Sequence, residues 1–101
     1  MPVRCREEQR RLTAWVEGEL DHHRAREVME ELDRRIDVAQ PRELTVDLSG
    51  LTFTDSSGIT VLIRAHRRMG QVRGAMRVVN APSQAKKVFQ AAGLERLIRF
   101  E

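Results

Sequence analysis
The chain has 101 residues, of which 41% are hydrophobic and 33% charged, with a net charge of +3. That length suits one small core and not two, and the apolar content predicts a folded domain. No apolar run reaches membrane-spanning length, the start Met1-Pro2-Val3-Arg4-Cys5-Arg6 lacks the apolar stretch of a secretory signal, and the lone Cys5 excludes an internal disulfide or a multi-cysteine zinc site.

Val3 to Glu7 reads as a short edge strand, followed by a polar turn at Glu8-Gln9-Arg10. Leu12, Ala14 and Val16 alternate with Thr13 and Trp15, which is strand periodicity, and Gly18 closes the strand. Asp21 is an N-cap candidate for a helix with Ala25, Val28, Met29, Leu32, Ile36 and Ala39 on one face, stopped by Pro41. Leu44 to Leu48 is the second clear strand, and Leu51 and Phe53 carry apolar surface through a short connection to Asp55. The helix after Ser56 places Ile59, Leu62, Ile63, His66 and Met69 on one side and Arg64, Arg67 and Arg68 on the other, with Gly70 as its stop. His66 is therefore expected in the core. Met76 to Val79 is a third strand. A helix capped by Ser83 follows, with Ala85, Val88, Phe89 and Ala92 inward, Gly93 at its end and Leu94 packing back. Leu97, Ile98 and Phe100 close the chain as a helical turn and a short strand.

Strands alternating with helices predict an α/β fold. The expected architecture is a small, mainly parallel sheet with an N-terminal antiparallel hairpin and covering helices, one domain over residues 1–101. Sites in such sheets gather in loops at the carboxyl ends of the strands. Here those loops are Gly18 to Asp21, Thr52 to Gly58 and Asn80 to Ser83, which the topology brings to one end.

The excess of base is not read as a nucleic-acid surface. The basic residues are nearly all arginine, spread from Arg4 to Arg99 among acids, and aromatics are 4% with no Tyr, so stacking platforms are lacking.

Asp55-Ser56-Ser57-Gly58 stands where a strand gives way to a helix. It puts hydroxyls at the positive end of the helix beside a carboxylate. A nucleophilic serine would need a base and an oxyanion site; there is no G-x-S-x-G elbow, and His22 and His23 are the only neighbours able to serve. Plain helix capping would not account for two adjacent exposed hydroxyls. A phosphoacceptor accounts for them better, because a helix start tolerates an added dianion.

Asp55-Ser56-Ser57-Gly58 with Ile59 and Val61-Leu62 resembles the STAS domain of bacterial anti-sigma factor antagonists. Gly18-Glu19-Leu20-Asp21-His22-His23 is similar to the loop after the second strand in the sporulation-type members. Val88-Phe89 through Gly93-Leu94 and Ile98-Arg99-Phe100-Glu101 are similar to their closing segment. The resemblance implies partner switching in the bacterial cytoplasm. The unphosphorylated antagonist binds an anti-sigma factor that is also a serine kinase, which frees a sigma factor and regulates transcription. The kinase, using ATP and magnesium, phosphorylates the serine after the aspartate, here Ser56. The phosphoprotein then lets go, and a PP2C-type phosphatase resets it. By position, Asp55, Ser57 and Gly58 set the geometry of the phosphosite, and Asp21, His22 and Ile59 touch the partner. The domain is then a substrate and not an enzyme, with no catalytic or metal site, no cofactor, no membrane or nucleic-acid partner, and a monomer is expected. The alternative is a constitutive scaffold or ligand-sensing STAS domain that is never phosphorylated. Thr54 departs from the apolar residue common before the aspartate and adds a competing hydroxyl.

Among the other candidates, Asp21-His22-His23 is a capping and solvated set before it is a metal site, since adjacent helical histidines point about 100° apart. Cys5 shows no sign of activation. Asp47 lacks the acidic cluster of a receiver-type site, and there is no P-loop or G-x-G-x-x-G for a nucleotide.

Overall fold
The computed structural model describes residues 3–101. Met1 and Pro2, part of the stretch read for a targeting signal, lie outside the described residues. The elements run β1 (Val3–Glu8), β2 (Arg11–Val16), β3 (Gly18–Leu20), α1 (His22–Ala39), β4 (Glu43–Asp47), β5 (Leu51–Thr54), α2 (Ser57–Gln71), β6 (Ala75–Val79), α3 (Ser83–Ala91), a 3₁₀ turn (Leu94–Arg96) and β7 (Arg99–Phe100).

β1 and β2 form the expected antiparallel hairpin. Its two-residue loop is Gln9-Arg10, with φ of 53° and 64°. Two consecutive left-handed residues match the twist of the flanking strands, so the hairpin forms without the glycine usual at such turns. β2, β4, β6 and β7 then add in parallel, giving a five-stranded sheet in the order β1-β2-β4-β6-β7.

Leu12, Ala14, Val16, Leu44, Val46, Met76 and Val78 are buried on one face of this sheet. The helices lie against that face. α1 supplies Ala25, Val28, Leu32 and Ile36, α2 supplies Val61, Leu62, Ala65 and Met69, and α3 supplies Ala85 and Phe89. Phe89 packs on Phe100 of β7 with ring centroids 5.8 Å apart. No helix among the described residues covers the other face. It carries half-buried Thr13, Trp15, Thr45 and Asp47 with exposed Arg4, Arg6, Arg77 and Arg99. There the Arg4 guanidinium sits 5.1 Å over the Trp15 ring, and Arg77 donates to Thr45 Oγ1 at 3.1 Å.

Several local expectations are corrected. Leu51–Thr54 is a strand and not a connection. It pairs in parallel with Gly18–Leu20 as a separate two-stranded sheet, so Gly18 opens a strand as well as closing one. Gly18 has φ of 78° at the register shift, a conformation in which a side chain is strained. The core face of α2 is rotated: Gly58, Val61, Leu62, Ala65 and Met69 are buried, whereas Ile59, Ile63 and His66 are half-buried at its flank. His66 is thus not a core residue. α2 also runs past Gly70 to Gln71. The constrained glycine is Gly74, where a Cβ would lie 2.8 Å from the Pro41 carbonyl oxygen. The cap position of α3 is Pro82 with no side-chain cap bond, not Ser83, and Ala92 is exposed.

Candidate functional site
Asp21 caps α1 as its sequence position predicts. Its Oδ1 accepts from the backbone N–H of His23 at 3.0 Å and of Arg24 at 3.1 Å. The next N–H in line, that of His22, donates instead to Asp55 Oδ2 at 3.2 Å. Asp55 Oδ1 accepts from the Ser57 N–H at 2.8 Å. One carboxylate therefore joins the starts of two helices. Each start has free N–H groups and a positive dipole end that favour an anion. These bonds, that from the Ser57 N–H foremost, hold the Asp55 carboxyl below the ordinary aspartate range against the opposing effect of burial; the Ser57 hydroxyl and the His22 N–H add to the lowering.

The two serines are not equivalent. Ser57 is half-buried and committed to Asp55, whereas Ser56 is exposed and makes no capping bond with its side chain. Ser56 occupies the cap position of α2 with helical backbone angles, φ of −62° and ψ of −16°. An N-cap ordinarily has extended angles that turn its oxygen back to the helix. The helical angles leave the Ser56 hydroxyl facing solvent, while Asp55, one residue earlier, serves the N–H groups.

Thr54 is corrected outright: it is fully buried and cannot compete as an exposed hydroxyl. Its Oγ1 donates to the Leu20 carbonyl at 2.9 Å, tying β5 to β3. Its backbone is held by Gln84 of α3. Gly58 packs directly on it, and a Cβ at Gly58 would lie 2.2 Å from Thr54 Oγ1. The glycine is a requirement of close approach and not of backbone angle.

The three predicted loops do meet. Asp55 bonds the first to the second, and Gln84 bonds the second to the start of α3. His22 and His23 are exposed, their rings 5.7 Å apart edge to face, and Ile59 is half-buried against the core. Two participants were not anticipated. Phe53, read with Leu51 as carrying apolar surface towards Asp55, is 41% exposed while Leu51 is buried. Gln84 reaches Thr54 across 30 residues, and no local pattern announces such a contact. A groove of about 560 Å³ lies elsewhere, between α1 and α2 over Met29 and Ile63, and Asp55, Ser56 and Ser57 do not line it.

A family model, the STAS domain, matches residues 5–101. The chain belongs to the STAS domain family. An anti-sigma F factor antagonist from Lysinibacillus sphaericus is 32% identical over 77 residues, which is 76% of this chain and 66% of that protein. One from Paenibacillus polymyxa is 29% identical over 83 residues, 82% of this chain and 71% of that protein. The chain thus spans just under two thirds of the first relative's length and slightly more of the second's. The unphosphorylated form of the anti-sigma factor antagonist SpoIIAA superposes with a TM-score of 0.83 at 24% identity, covering 98% of this chain and 87% of that one. The phosphorylated form of the Bacillus protein gives 0.74 at 23%, covering 98% and 90%. An anti-sigma factor antagonist from Mycobacterium paratuberculosis gives 0.86 at 20%, covering 97% and 82%. At these identities the structures establish the STAS fold.

Proposed function
We propose that this STAS domain is an anti-sigma factor antagonist whose partner binding is switched by phosphorylation of Ser56. Unphosphorylated, it docks on an anti-sigma factor that is also a serine kinase and so releases a sigma factor. The kinase transfers phosphate to Ser56, the complex parts, and a PP2C-type phosphatase restores the binding form. The protein is the substrate in this cycle, acting in the cytoplasm. The observation that carries the reading is the exposed Ser56 side chain, free of a cap bond, between an Asp55 carboxylate engaged by the His22 and Ser57 N–H groups and a Thr54 hydroxyl held by Leu20. The relatives named anti-sigma F factor antagonists, and a structure of this fold in phosphorylated form, support it.

Added phosphate brings about −1.5 to −2 charge. In a closed interface that charge must shed water beside Asp55, itself held ionised. Burying it without a counter-charge costs on the order of several kcal/mol, and each 1.4 kcal/mol is about tenfold in affinity, so release by a factor of about a hundred or more is expected. Phe53 offers the surface an aromatic anchor of the kind that dominates interfaces. Phe53→Ala should weaken docking about tenfold or more without lowering the melting temperature.

The test is capture from the native cell with Ser56→Ala, which should retain a kinase of the ATPase fold that wild type releases when ATP is supplied. Mass spectrometry should then place phosphate on Ser56. Phosphate confined to Thr60 or Ser57, or equal affinity of Ser56→Ala and Ser56→Asp for the captured protein, would leave a constitutive scaffold as the better reading.

A further inference from the structure
β5 is the last backbone before the acceptor, and among the described residues it pairs with β3 alone. Beyond that pairing, the Gln84 side chain forms a closed pair of hydrogen bonds with Thr54: the Thr54 N–H donates to Gln84 Oε1 at 3.0 Å, and Gln84 Nε2 donates to the Thr54 carbonyl at 2.8 Å. A primary amide offers one acceptor and one donor side by side, so it stands in for a strand neighbour exchanging both bonds with one residue. The same helix sets Phe89 beneath the first turn of α2, 3.4 Å from the position of a Cβ on Gly58. With its hydroxyl held by Leu20, Thr54 is fixed from β3 and from α3, and Asp55 and Ser56 follow it directly.

We infer that Gln84 is a positioning residue for the phosphoacceptor: the α3 amide latches the end of β5 and thereby sets where the Ser56 hydroxyl stands. The inference rests on the proposed role of Ser56. Phosphoryl transfer depends on holding the attacking oxygen in line with the leaving group. A frayed β5 spreads the hydroxyl over more orientations, which slows transfer while the docking surface persists. The expected signature is a fall in kcat with KM nearly unchanged.

Gln84→Met keeps the length of the side chain and removes both bonds. Gln84→Glu keeps the acceptor but sets a second carboxylate oxygen against the Thr54 carbonyl. Gln84 is exposed, so both variants should fold, melting at most a few degrees below wild type for the hydrogen bonds lost. In the isolated protein, hydrogen exchange at the Thr54 amide should quicken about tenfold in Gln84→Met, the loss expected from one or two net hydrogen bonds. With the kinase captured by Ser56→Ala, kcat should fall about fivefold to tenfold in both variants and KM should stay within about twofold. A Gln84→Met protein with wild-type Thr54 exchange and wild-type kcat overturns the latch and leaves Ser56 as acceptor. A wild-type chain that takes no phosphate on Ser56 overturns the role of the serine, and the positioning role with it.

Discussion
Asp55 accepts from Ser57 and His22, at the starts of α2 and α1, and its carboxyl titrates below the ordinary aspartate range mainly because of the Ser57 N–H. Folding therefore favours the deprotonated form. The stabilisation is complete above the unfolded aspartate pKa of about 3.9 and is lost as pH falls through the lower folded value. Asp55→Asn should consequently flatten the acid side of the stability profile, measured by urea melts from about pH 5 to pH 2. An unchanged acid limb would mean that the two N–H bonds carry no net stability. Gly58 makes a second prediction. A methyl there overlaps Thr54 Oγ1, which is buried and bonded on both sides. Gly58→Ala should cost about 1–3 kcal/mol as an overpacked core does. Adding Thr54→Ala should recover part of that cost, giving a coupled double-mutant cycle.

The elements were legible where one period ruled the whole segment. β2 alternates cleanly, α1 carries its cap and its apolar stripe, and Gly93 with Leu94 closes α3 as read, Gly93 at φ of 67° and Leu94 buried. They were not legible where tertiary contacts chose between faces. α2 has apolar residues on more than one side, and the choice of Val61 and Ala65 over Ile63 and His66 follows from small residues allowing close approach to the sheet. β5 has four residues, with Leu51 and Thr54 buried and Thr52 and Phe53 exposed, so it shows no period of two; it exists because β3 lies beside it. The place of the tetrapeptide, between a strand and the start of a helix, was legible. The inertness of Thr54 and the hold of Gln84 required three dimensions. The packing of α1 on α2 was also hidden. Arg64 donates from Nε and Nη2 to Asp33 Oδ2 at 2.9 and 2.8 Å, and Arg68 reaches Asp33 and Asp37, although the arginines read as a solvated stripe. The Asp33 side chain is only 17% exposed and its Oδ1 is buried without a hydrogen-bond partner among the described residues, whereas the Arg64 side chain is 54% exposed. Removing Arg64 takes both hydrogen bonds from a carboxylate that water reaches poorly and leaves it only Arg68, 3.7 Å away; removing the acid frees an Arg64 guanidinium that water covers. Arg64→Met should therefore destabilise more than Asp33→Asn in urea melts, and added salt should narrow the difference. The reverse order would locate the value of the pair in the acid's own packing.

Parallel sheets ordinarily bury both faces under crossover helices, but four parallel strands here keep all three helices on one side. That arrangement leaves the carboxyl-end loops as a rim where α1, α2 and α3 all begin, and the site is a property of the rim as a whole. Its stability should not depend on a charge at Ser56. The Ser56 side chain is exposed and makes no cap bond, so a charge there removes no native contact. The start of α2 attracts an anion by about 0.3–1 kcal/mol, while Asp55, already ionised alongside, repels it by a similar order in water. The two effects nearly cancel. Ser56→Asp should unfold within about 0.5 kcal/mol of wild type, as surface substitutions do, a shift of no more than about 2–4 °C for a domain of this size. The enzymatically phosphorylated chain should behave alike in calorimetry. Over the same pair of states, affinity for the captured kinase should fall by about a hundredfold or more. A melting temperature that falls in step with affinity would mean the phosphate acts by loosening the rim; a constant melting temperature with lost binding locates the switch in the interface, where Asp55 and the dianion would have to share one desolvated surface.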